Sequence, residues 1–121
     1  MSAPHGTHWL ERQDFGDVTV VRLKTPRNLD DDVLRTIFDP IYTLVDGVGR
    51  KKLVLNLAAV PYLPSMALGK LVMLNRKVQV GGGRLALCQL TPVAEEILDG
   101  TALKSLFNTY AAEDEAVKSF A

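Results

Sequence analysis

A short apolar run that leads directly into a small-residue helix start lies in the middle of this 121-residue chain. The run from Leu53 to Leu55 is typical of a buried β-strand and ends at Asn56. Two prolines follow, and Pro64 disfavours the helical conformation just before Ser65. Serine is a preferred N-cap residue, so the sequence predicts a helix that begins at Ser65. A buried strand followed by a helix favours an α/β fold.

Strand and helix signals alternate along the rest of the chain. Residues 9–13 and 18–23 predict an antiparallel hairpin with a turn at 14–17. Apolar residues at helical spacing run from Asp30 to Val48, and Pro40 predicts either a kink or a restart with Asp39 as N-cap. The later predicted elements are a helix over 65–80, a glycine connection at 81–83, a strand over 85–90, a helix opened by Thr91-Pro92 and a helix over 111–120. Residues 102–107 stay open between a helical turn and a strand approach. This order predicts a sheet with right-handed crossovers.

Composition excludes several classes of function. Fourteen basic residues balance fourteen acidic ones, so no global field draws the chain to nucleic acid or to an anionic membrane. The single Cys88 lies in an apolar run and is expected to be buried and inert. We expect a flexible tail at 1–7 and one domain over 8–121. Because the N-terminus lacks the pattern of a signal peptide and no run is long enough to span a membrane, we expect a cytoplasmic protein.

No motif in the chain indicates catalysis, a metal or a cofactor. The triple glycine at 81–83 follows a helix and precedes a strand, which is the reverse of a phosphate-binding loop. His5 and His8 lie in the predicted tail without other metal ligands near them. Lys70, with Arg76 and Lys77, belongs either to a partner-binding surface or to a solvated helix face.

Ser65 has two interpretations. Its hydroxyl could cap the helix, a contribution on the order of 1 kcal/mol. Alternatively, it could accept or bind a phosphate, because the free N–H groups and the dipole of a helix start favour negative charge.

The span 18–120 resembles the STAS domain of bacterial anti-sigma factor antagonists. The resemblance is carried by the hairpin, by Leu29-Asp30 at the first helix start, by V-L-N-L-A-A-V-P-Y-L-P-S-M-A-L-G-K-L over 54–71 and by G-G-R-L-A-L-C over 82–88. It implies a mixed, mostly parallel sheet with an N-terminal hairpin and helices mainly on one face.

The second helix start departs from the pattern of that family. Members typically read Asp-Ser-Ser/Thr-Gly-Leu-Gly there, and a kinase-type anti-sigma factor phosphorylates the second hydroxyl residue. This chain has Pro64, Ser65, Met66 and Ala67 at the first four of those positions. A methionine cannot accept phosphate, so the standard switch is absent and Ser65 is the remaining candidate phosphorylation site.

The resemblance implies a non-enzymatic signalling domain that docks a kinase-type anti-sigma factor and releases a sigma factor. The partner-binding residues that it implies are Asp30, Pro64, Ser65, Met66, Ala67 and Lys70. Two alternatives stay open. The chain could be a scaffold or self-assembling unit without a kinase partner, or it could bind a small anionic ligand such as a nucleotide at the second helix start.

Overall fold

The computed structural model describes residues 9–26 and 28–121, and within them it has five strands and four helices. The first four strands and all four helices follow the predicted order. The strands are β1 (Leu10–Phe15), β2 (Val18–Lys24), β3 (Lys52–Ala59), β4 (Arg84–Cys88) and β5 (Asn108–Tyr110). The helices are α1 (Asp31–Asp46), α2 (Ser65–Val80), α3 (Pro92–Asp99) and α4 (Glu113–Lys118), with a 3-10 helix at Ala102–Leu106. The predicted tail at 1–7, with His5, lies outside the described residues, as does His8.

The strands form one sheet in the order β1-β2-β3-β4-β5. β1 pairs antiparallel with β2, and the other three pairings are parallel, which confirms the predicted mixed sheet with an N-terminal hairpin. The hairpin turn is shorter than predicted, because Asp14 and Phe15 still pair with Thr19 and Val18 as part of β1. Gly16 has a φ of 63°, which allows the tighter turn.

The main core lies between the sheet and the helices α1, α2 and α3. Side chains alternate along β3, so that Leu53, Leu55 and Leu57 face this core while Val54 faces the other side of the sheet. Leu68 and Leu71 of α2 are buried in the core, as the helical spacing predicted. The sequence therefore positions α2 with one face fixed against the sheet.

The second face of the sheet is covered by α4. Six small or medium side chains meet there in a separate buried cluster, namely Val18, Val20, Val54, Ala86, Cys88 and Ala116. Cys88 is buried, as predicted, and this burial raises its thiol pKa to about 12. Helices thus lie mainly, but not wholly, on one face.

Of the two alternatives predicted at Pro40, the restart of the first helix with Asp39 as N-cap is wrong. α1 runs without interruption through Pro40. Ile37 and Ile41 are both fully buried, so the core-facing side of the helix is continuous across the proline. This packing offsets the hydrogen bond that proline cannot donate. Val48, which was included in the helical pattern, lies beyond the helix and is 59% exposed.

Three further element boundaries differ from the prediction, and one strand was missed. β3 continues to Ala59, three residues beyond Asn56. β4 ends at Cys88, and Gln89 after it has a left-handed φ of 54°, which interrupts the strand. β5 was not predicted as a strand, because a three-residue element is too short to show a period. α4 spans 113–118 rather than 111–120.

No helix in the described part of the chain combines the length and the apolar character needed to cross a membrane.

Candidate functional site

The loops that follow β2 and β3 meet at the end of the sheet where the carboxyl ends of these two strands lie. β2 and β3 are parallel neighbours, so the starts of α1 and α2 lie beside each other. Leu29 before α1 lines a small apolar cavity together with Leu63 and Ala67 at the start of α2. In α/β folds, the crevice outside the carboxyl ends of the strands is the usual binding position.

The start of α2 carries no side-chain cap. The N-cap residue is Pro64, and no side chain bonds to the first-turn N–H groups. Ser65 is the first helical residue and is exposed, so the expected role of its hydroxyl as the N-cap is wrong. The first turn also contains no acidic residue, whereas α1 has Asp31 and Asp32 in its first turn. The positive end of the α2 dipole is therefore left without a compensating side chain.

The outward side of α2 is apolar along two turns. Met66 and Met73 are each 46% exposed and are seven residues apart, so they lie on the same side of the helix. Gly69 lies between them, and a Cβ atom built there meets nothing within 4 Å. A shallow groove runs along this side, lined by Tyr42, Ser65, Met66, Gly69, Lys70 and Met73. We refer to these six residues as the α2 face.

Tyr42 of α1 fixes one wall of the α2 face. Its hydroxyl donates a hydrogen bond to the carbonyl of Lys70 at 3.0 Å. The ammonium group of Lys77 lies 5.5 Å from the centre of the Tyr42 ring and forms an ion pair with Asp46 at 2.7 Å. Burial, followed by the charge of Asp39, raises the pKa of Tyr42 to about 12, so the hydroxyl remains a donor over the physiological range.

One cation of the α2 face and one beside it have no carboxylate partner in the described part of the chain. Lys70 and Arg76 make no ion pair there, in contrast to Lys77. Together with the uncapped helix start, they give this side of α2 a positive character. The face therefore suits a partner surface that is apolar and negatively charged.

The structure brings together only some of the predicted site residues. Ser65, Met66 and Lys70 all line the α2 face. Asp30 lies on the neighbouring loop, where its carboxylate accepts a hydrogen bond from the backbone N–H of Val33 at 2.9 Å and caps α1. Ala67 is only 3% exposed and faces the core, so its side chain supports the helix from below and is not part of the surface.

Sequence reasoning missed Tyr42, Gly69 and Met73. Met73 could have been found, because its seven-residue spacing from Met66 places both on the side of α2 opposite to the buried leucines. Tyr42 could not, since its hydrogen bond to Lys70 joins residues 28 positions apart.

The described ranges contain no group of three or more His, Cys, Asp or Glu side chains arranged to hold a metal ion. The functional groups of the α2 face are the hydroxyls of Ser65 and Tyr42, the thioethers of two methionines and the ammonium group of Lys70.

The family model of the STAS domain matches residues 10–116, which is most of the chain. The chain belongs to the STAS domain family. The mixed sheet with its N-terminal hairpin agrees with what the resemblance implied. No curated protein sequence matches this STAS domain.

Solved structures share its fold. A protein of Thermotoga maritima, provisionally described as an anti-sigma factor antagonist, is 22% identical with a TM-score of 0.81, and 97% of each chain is covered. A STAS domain protein of Planctomyces limnophilus is 21% identical with a TM-score of 0.79, over 91% of this chain and 96% of that one. The phosphorylated Bacillus cell fate determinant SpoIIAA is 18% identical with a TM-score of 0.70, over 93% and 99%. At these identities the likeness extends to the fold alone.

Proposed function

We propose that this STAS domain is a non-enzymatic signalling domain that docks a kinase-type anti-sigma factor at the α2 face and so releases a sigma factor. The observation that carries the proposal is the exposure of Met66, at 46%, within an apolar and positively charged groove. Grouped exposed apolar side chains mark interaction sites more often than single ones do. The resemblance assigns this same position to the residue that regulates docking in the family.

The phosphorylation switch is absent from this domain in our proposal. Met66 carries no hydroxyl that could form a phosphate ester, and Ser65 lies one residue earlier, which is about 100° around the helix axis. In a kinase active site that accepts a hydroxyl at residue 66, the hydroxyl of Ser65 would therefore point away from the transferred phosphate. Docking then continues in the presence of ATP, and control of the complex comes from the amount of either protein. Such a complex acts in the bacterial cytoplasm, where we expect this domain.

Calorimetric titration with a purified kinase-type anti-sigma factor of the same organism tests the docking surface. Met66→Glu places a charge in the centre of the α2 face, and we expect binding to weaken about 30-fold, the equivalent of about 2 kcal/mol. The matched control is Val48→Glu, an exposed apolar residue at the opposite edge of the sheet, before β3. Equal affinity of the two variants would contradict the proposed surface.

The two alternatives give different outcomes. A scaffold domain would self-associate in sedimentation without any kinase, and Met66→Glu would abolish that association. A domain that binds an anionic ligand would gain thermal stability with ATP alone. We expect neither result, and either one without kinase binding would replace the proposal.

A further inference from the structure

Two arginines of the sheet hold the ends of α4. At its start, the guanidinium group of Arg22 on β2 donates two hydrogen bonds to the carboxylate of Glu113, at 2.8 and 2.7 Å. After its end, Arg84 on β4 donates to the carbonyl of Ser119 at 2.8 Å and lies 4.2 Å from the centre of the Phe120 ring. We call these contacts the first and second clasp.

Between the clasps, α4 buries little apolar surface. Ala116 is its one fully buried side chain, and Val117 is only partly buried. The main core on the opposite face of the sheet contains no residue of α4. Hydrophobic stabilisation scales with buried apolar area, so the hold on α4 depends heavily on the clasps.

At the first clasp, the side chains of the sheet keep hydrogen-bond partners when α4 is absent. Arg22 also donates to Glu11 and to Gln13 of β1, each at 2.8 Å. Asn56 donates to the side chain of Gln89 in addition to Glu113, and its carbonyl oxygen accepts from the N–H of Ala58 at 2.9 Å. Breaking the first clasp would therefore leave no buried charge without a partner on the sheet side, which removes the largest cost of opening.

We propose that α4 is a reversible cover, released as one unit while the rest of the domain stays folded. Release uncovers an apolar strip of the sheet that includes Val20, Val54 and Ala86. Since this strip lies on the face of the sheet opposite to α2, opening leaves the α2 face unchanged. The domain would then have a second surface that is accessible only in the open state, a property that does not depend on the proposed function.

Cys88 reports on the opening. It is the only cysteine of the chain and is fully buried in the cluster beneath α4. Burial suppresses its thiolate in the closed state, so an alkylating reagent reaches a reactive thiol only after release.

The test compares two protection factors in the unmodified chain under native conditions: that of the Cys88 thiol against alkylation and that of the β3 amides against hydrogen exchange. Alkylation of Cys88 by iodoacetamide, relative to the denatured chain, measures opening of α4. Hydrogen exchange of the slowest β3 amides measures global unfolding. We expect Cys88 to be protected at least about 100-fold less than those amides.

A pair of variants on the same turn isolates the first clasp. Glu113→Gln removes the charge that pairs with Arg22, and we expect Cys88 alkylation to accelerate about tenfold. Exchange of the β3 amides should accelerate by about the same factor, because the lost contact stabilises the closed state against both release of α4 and global unfolding. Asp114→Asn is the control, because Asp114 is exposed and its one ion pair among the described residues is with Lys118 of the same helix. It should leave the alkylation rate as it is.

Equal protection of Cys88 and the β3 amides in the unmodified chain would overturn the proposal, since α4 would then leave only on global unfolding. This comparison needs no variant, so the proposal stays testable even if Glu113→Gln fails to fold. An unchanged rate of Cys88 alkylation in Glu113→Gln would also contradict it, because the first clasp would then not resist the opening.

Discussion

Gly69 lies inside α2 at a position where the described residues do not require a glycine. A Cβ atom there meets nothing within 4 Å, yet glycine inside a helix costs about 1 kcal/mol relative to alanine. A partner backbone that approaches closely between Met66 and Met73 would account for it. We therefore expect Gly69→Ala to raise the free energy of unfolding by about 0.5–1 kcal/mol in denaturant and, at the same time, to weaken binding of the anti-sigma factor.

Gly83 provides the opposite control for that substitution. A Cβ atom at Gly83 would lie 2.0 Å from the carbonyl oxygen of Lys51, so Gly83→Ala must displace backbone and destabilise the domain. If Gly69→Ala were as destabilising as Gly83→Ala, or bound the anti-sigma factor as tightly as the unmodified chain, the close-approach argument would be refuted.

Leu71 tests the core beneath the α2 face. It is 1% exposed and packs against the sheet, so Leu71→Ala leaves a cavity. We expect a loss of about 2–5 kcal/mol in the free energy of unfolding, measured in denaturant. A loss below about half a kcal/mol would place Leu71 on the surface, as is usual for surface substitutions.

At the scale of elements, the first clasp of α4 links stability to pH. Glu113 faces Arg22 on β2, and Glu11 of β1 pairs with the same guanidinium group. The thiol of Cys88 on β4 is also close enough to interact with Glu113. The hydrogen bonds from Arg22 hold the pKa of Glu113 below its ordinary value, and a bond from Asn56 adds to this. The unfolded chain therefore binds a proton at this residue more readily than the folded one.

The resulting stability is fully present above the ordinary glutamate pKa and is lost as the pH falls through the depressed value. We expect the free energy of unfolding to decrease more steeply below about pH 5 in the unmodified chain than in Glu113→Gln. The carboxyl groups of Asp14 and Asp17 also have lowered pKa values, but they are present in both proteins and cancel in the comparison. Identical pH profiles of the two proteins would show that the first clasp contributes nothing to the free energy of unfolding.

Local sequence signals located most elements, and they failed where tertiary contacts decide. α2 spans Ser65–Val80 as predicted, since Pro64 and the glycines from Gly81 on mark its two ends. Pro40 did not interrupt α1, because buried side chains on both sides of it hold the helix together. The preference of serine for the N-cap made capping one of the two interpretations of Ser65, but the N-cap is Pro64.

At the scale of the whole molecule, the α2 face and α4 lie on opposite sides of one sheet. The site was predictable as far as the start of α2, because the motif is contiguous in sequence. Its groove was not, since Tyr42 reaches it from α1, and neither was the Arg22–Glu113 pair, whose members are 91 residues apart. Such contacts arise from the packing of elements and leave no local pattern.

This arrangement predicts that the two sides act independently. Glu113→Gln should change the affinity for the anti-sigma factor by less than about twofold in titration, because distant sites without shared partners are additive. A large loss of affinity would mean that α4 contributes to docking or that the sheet transmits its release.

Docking without phosphorylation can be tested by native mass spectrometry of this domain with a kinase-type anti-sigma factor and ATP. We expect a complex that persists with ATP and a domain of unchanged mass. Met66→Ser should gain one phosphate and dissociate, because added negative charge disrupts the fit, whereas Ser65→Ala should behave like the unmodified chain. Stoichiometric phosphorylation of the unmodified chain at Ser65, with release of the partner, would show that this domain has a working phosphorylation switch.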